Sequence, residues 1–65
     1  MWVQVKSASN LIIAEMWKEF FEGEGIPARI LPDPEKKPGS GELASYRIFV
    51  SQERVHVVEE VLRKL

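Results

Sequence analysis

The chain is predicted to fold as a small α+β domain in the order β-α-β-β-α. Three observations carry this reading. Trp2-Val3-Gln4-Val5-Lys6 and Leu43 to Val50 alternate apolar and polar residues with the period of a half-buried strand. Asn10 to Glu22 and the stretch after Ser51 repeat their apolar residues at three- and four-residue steps, the period of a helix. Gly23 and Gly25 punctuate the boundary between the first helix and Ile26-Pro27-Ala28-Arg29-Ile30-Leu31, a segment with strand composition.

In strand one, alternation puts Met1, Val3 and Val5 on one face and Trp2, Gln4 and Lys6 on the other. Ser7-Ala8-Ser9-Asn10 then offers N-caps, and Ser9 is the expected one because its hydroxyl can accept a first-turn backbone N–H. Helix one follows over Asn10 to Glu22. At one residue per 100°, Glu15, Lys18, Glu19 and Glu22 fall in a wedge of ~100°, while Ile12, Ile13, Ala14, Met16, Trp17, Phe20 and Phe21 spread over ~200°. Packing on one sheet face needs a stripe of only about 100°, so this helix carries a surplus apolar flank. Gly23 or Gly25 supplies the left-handed residue that stops it.

Strand two covers Ile26 to Leu31, with Pro27 confined to its start or to an edge because proline cannot donate to a ladder. Residues 32–42 hold Pro32, Pro34, Pro38, Gly39 and Gly41 and almost nothing apolar, which predicts a flexible connection over 32–44. In strand three, Tyr46, Ile48 and Val50 take one side, Arg47 and Phe49 the other. Ser51 is the expected cap of helix two, whose apolar stripe is Val55, Val58, Val61, Leu62 and Leu65.

A right-handed crossover through helix one and antiparallel pairing of strands two and three put both helices on one sheet face, in strand order 1-3-2. This is a ferredoxin-like arrangement lacking its fourth strand. The missing strand would have covered the outer edge of strand one, so that edge is expected to stay open unless a second copy covers it.

Composition narrows the function classes. Sixty-five residues make a single domain, and so short a chain buries a modest share of its surface. It has no cysteine, which excludes disulfides and thiolate metal sites, and a single histidine, which argues against structural zinc. A partner subunit is the supplement left open. Nine basic and ten acidic residues give a formal charge of −1, too balanced for a global field toward nucleic acid or an anionic membrane. MWVQVKSASN lacks the pattern of a signal peptide. The longest apolar run, Leu11 to Ala14, is far short of the roughly 20 residues of a membrane span. The expectation is a soluble cytoplasmic protein.

The segment Ala14-Glu15, Lys18, Phe20-Phe21-Glu22 and Glu24-Gly25-Ile26-Pro27-Ala28 resembles the signature of a family of small bacterial domains named as signal-transducing proteins, whose function is unknown. Their fold is related to the nitrogen-regulatory PII proteins. The resemblance extends over nearly the whole chain except 32–42, and it implies a PII-like version of the ferredoxin-like fold. PII proteins bind nucleotide and 2-oxoglutarate and touch their targets with a long loop between strands two and three. This chain has a connection in the same place, but no nucleotide-binding residues match. The resemblance brings no catalytic residue.

No enzymatic constellation is legible. Gly39-Ser40-Gly41 is not a P-loop, since it lacks the G-x-x-x-x-G-K-[ST] pattern and a following helix. His56 lies on the outer side of helix two without partners for a metal or a triad. The helix-one carboxylates line a wet face. No catalytic, cofactor or metal residues are therefore assigned. The candidate interaction surface is the open sheet face, with Trp2, Gln4, Lys6, Arg29, Leu31, Arg47 and Phe49. The candidate partner loop, for a protein or a small molecule, contains Lys36, Lys37, Gly39, Ser40 and Gly41. Aromatics flanked by cations could instead stack single-stranded nucleic acid. The neutral charge balance and the lack of RNP-like aromatic spacing favour a protein contact, and a homodimer is expected through strand one's edge, the open sheet face or the surplus apolar flank of helix one.

Overall fold

A computed structural model describes residues 1–33 and 45–65. The elements are β1 (Trp2–Ala8), α1 (Leu11–Gly23), β2 (Ala28–Pro32), β3 (Tyr46–Ser51), a 3₁₀ turn (Gln52–Arg54) and α2 (Val55–Arg63). The fold is α+β, with a three-stranded sheet ordered β1-β3-β2 in which both edge strands run antiparallel to β3. Ala14 and Phe21 from α1 and Val58 from α2 share one core cluster with Ile48 and Val50, so both helices lie on the same sheet face.

The start of α1 is one residue later than Ser9 would place it. Asn10 has extended backbone (φ −157°, ψ 170°), and its Oδ1 accepts the Ile13 N–H at 2.9 Å. Its carbonyl takes the first helical bond, from the Ala14 N–H at 3.1 Å. Ser9 is exposed and lies too early for the helix it was expected to cap. Asn10→Ala should cost about 1 kcal/mol of stability. Ser9→Ala should change it by a few tenths at most, and paired urea titrations distinguish the two.

At its other end α1 closes with a Schellman motif. The Ile26 N–H reaches the Phe21 carbonyl at 2.9 Å, and the Gly25 N–H reaches that of Glu22 at 3.0 Å. Gly25 supplies the left-handed backbone this needs, at φ +81°. Ile26 and Phe21, the motif's apolar pair, are both fully buried. The Glu24-Gly25-Ile26 run is thus a helix stop that delivers the chain into β2. Pro27 precedes that strand, while Pro32 and Asp33, read as the opening of the connection, extend the pairing instead. Pro32 lies opposite Tyr46, and the Asp33 N–H donates to the Ser45 carbonyl at 2.9 Å.

Two expectations for α2 are corrected. Ser51 makes no side-chain capping bond; the 3₁₀ turn takes up the change of direction, and α2 begins at Val55. Leu65 does not join the stripe, because the helix ends at Arg63 and leaves it 76% exposed. Val55, Val57, Val61 and Leu62 pack against the core around buried Val58. Among the described residues its large, fully buried members are Phe21, Ile26, Ile48, Val50 and Val58, and the others buried are alanines. This is a thin core for a domain to stand on.

Candidate interaction surfaces

The cross-strand register decides which side chains share the sheet's open face. Val3, Val50 and Ala28 form one core-side row, so Gln4, Phe49 and Arg29, one residue along, form a row on the open side. Arg47 stands between Ser7 and Leu31 in the next open-side row, and Trp2 is opposite Ser51. Trp2, Gln4, Arg29, Leu31, Arg47 and Phe49 therefore occupy the face expected of them.

Lys6 does not. The ladder skips Val5, pairing Gln4 with Phe49 but Lys6 with Ile48. This β-bulge slips the alternation by one residue, so Lys6 turns to the helix side, where its Nζ sits 4.6 Å from the centre of the Trp17 ring. Val5, the extra residue, also packs against the core. The signal was present in the sequence. Val3 and Val5 are two apart, but the next apolar residue, Ala8, is three beyond Val5, an odd step that a regular strand forbids.

The two cations that remain on the open face are engaged within the molecule. The Arg29 guanidinium lies 4.5 Å from the centre of the Trp2 ring, and Arg47 Nη2 donates to Asp33 Oδ1 at 3.2 Å in a partly buried pair. Trp2 is 39% exposed and Phe49 partly buried. A base stacking on the Arg29-covered side of Trp2 would first have to displace that guanidinium.

The barest apolar surface lies on α1. Phe21 is buried at the helix–sheet interface, stacked on Trp17 at 5.7 Å, and Trp17 meets Phe20 edge-on at 6.0 Å. Beyond this aromatic trio the flank continues into Ile12, 72% exposed, and Met16, 62% exposed. Ile13, Met16, Trp17, Phe20 and the overhanging Leu65 line a shallow groove of ≈ 310 Å³ that is almost wholly apolar. Charge returns on the other side of α1, where Lys18 and Glu22 form an exposed i, i+4 pair at 3.7 Å, too wet to contribute much. This flank matches the surplus that the helical wheel predicts.

His56 is exposed. Among the described residues no cluster of His, Asp and Glu could hold a metal ion, and no helix is long and apolar enough to cross a membrane. Lys36, Lys37, Gly39, Ser40 and Gly41, the candidate partner loop, lie outside the described residues. No family model, curated protein or solved structure matches this chain.

Proposed function

We propose that this chain is a small non-enzymatic regulatory or adaptor module of ferredoxin-like, PII-like build, a cytoplasmic signal-transducing domain that works as a homodimer. The observation that carries the association is the uncovered apolar flank of α1 with Leu65. A domain whose described residues include five large, fully buried side chains gains most from a subunit that covers such a flank. Met16 and Ile12 are the central contacts in this reading. The open sheet face and the 32–44 connection are then left to meet a ligand or a second protein. The same surface as a single-stranded nucleic-acid platform is the weaker reading, because Arg29 and Arg47 already have partners inside the molecule.

Backbone amide spectra recorded through a dilution series test this reading. Concentration-dependent shifts should centre on Ile12, Met16, Phe20 and Leu65 and leave Leu31 and Phe49 unmoved. Shifts centred on the sheet face, or none anywhere, would remove it. A parallel titration with single-stranded oligonucleotide separates the alternative. Stacking predicts that Trp2→Ala and Phe49→Ala each lose ~1–3 kcal/mol of binding. The module reading predicts no binding by the unaltered protein and unchanged self-association in both variants.

A further inference from the structure

We infer that both edges of this sheet are closed to strand addition, and that on β1 a two-part guard does it: the bulge at Val5 and the inward turn of Lys6. The inference is independent of the dimer reading, since it concerns what the edge refuses. An incoming strand needs a regular row of outward N–H and C=O groups. The bulge divides β1 into Trp2–Gln4 and Lys6–Ala8, three residues on each side of Val5. Each half is shorter than the common strand length of about 5–6 residues, and the two are out of step with one another.

Lys6 supplies the second part. Its side chain is partly buried on the helix side of an edge strand, with its ammonium over the Trp17 face. A strand laid beside β1 would extend the sheet across that position and strip water from a charge whose partner there is a ring, not a carboxylate. The β2 edge is blunted differently. That strand has five residues, Pro27 immediately precedes it, and Pro32 within it has no N–H to offer. A partner therefore meets this protein through side chains, as packed helices do, and not as an added strand or an extended peptide.

Amide hydrogen exchange tests the guard on the full chain. In the unaltered protein, β1 amides not bonded to β3 should exchange at one rate from micromolar to millimolar concentration, whether or not the protein associates. Slowing by about tenfold or more as concentration rises would overturn the inference. Deleting Val5 restores alternation without moving any other β1 side chain to the opposite face, and Lys6→Val removes the inward charge. Together these changes should produce about tenfold or greater concentration-dependent protection along β1. A folded double variant whose β1 edge stays unprotected at millimolar concentration would also overturn the inference. If the deletion prevents folding, the concentration series on the unaltered protein decides alone, because Lys6→Val by itself leaves the bulge in place and should leave the β1 edge unprotected.

Discussion

Phe21→Ala is expected to unfold a large fraction of the protein at room temperature. Phe21 is fully buried, stacks on Trp17 and lies 5.7 Å from Phe20, and its carbonyl accepts the Ile26 N–H that closes α1. Truncating such a phenylalanine costs about 3–5 kcal/mol through lost burial and the cavity left behind. A domain of 65 residues has a total stability of about 3–10 kcal/mol at typical values per residue. The loss is thus comparable with everything that holds the fold. Among the described residues four other large side chains are fully buried, too few to absorb such a loss. Urea titration followed by far-ultraviolet circular dichroism measures this directly. A loss below about 1 kcal/mol would mean that the core is not organised around this ring.

The second large effect is expected where the folded monomer should scarcely notice the change. Ile12→Glu with Met16→Glu places two carboxylates on side chains that are 72% and 62% exposed. Neither packs in the core, so the monomer should stay within about 1 kcal/mol of its stability, including a few tenths for new i, i+4 repulsion along α1. Association through that flank would bring four added charges, two per copy, into one apolar contact. A loss of at least about a hundredfold in dimer affinity is expected, corresponding to about 2.8 kcal/mol. Sedimentation velocity of the double variant beside Trp2→Ala checks the location, since the latter alters only the sheet face. Equal weakening by both would place the contact elsewhere.

Element order and strand order were legible because they rest on periodicity and turn chemistry. Tyr46-Arg47-Ile48-Phe49-Val50 alternates cleanly and became the central strand with the predicted faces. The flank of α1 was legible for a related reason: a ~200° apolar arc cannot all face one sheet. Failures fell where one residue changes phase. The bulge at Val5 carried Lys6 out of the candidate surface, and only the odd Val5-to-Ala8 step hinted at it. Asn10 displaced Ser9 because a cap is set by where the first helical carbonyl falls, and two adjacent polar residues compete for that place on nearly equal terms. Leu65 kept the helical period but not the helix, since periodicity says nothing of where the last turn frays. The contacts that engage Arg29 and Arg47 join residues distant in sequence, which no local pattern encodes.

The junction between α1 and β2 also acquires a physical explanation. Phe21, Glu22, Glu24, Gly25 and Ile26 are the parts of a helix stop and its apolar clasp. Their spacing is demanded by folding.

A mass determination by sedimentation equilibrium, taken from micromolar to millimolar protein, goes to the centre of the matter. Twice the chain mass at the upper end, reverting to one chain on dilution, is the predicted result. A single compact chain at every concentration would leave Ile12, Met16 and Leu65 facing water with no second copy to shelter them, and would contradict the homodimer.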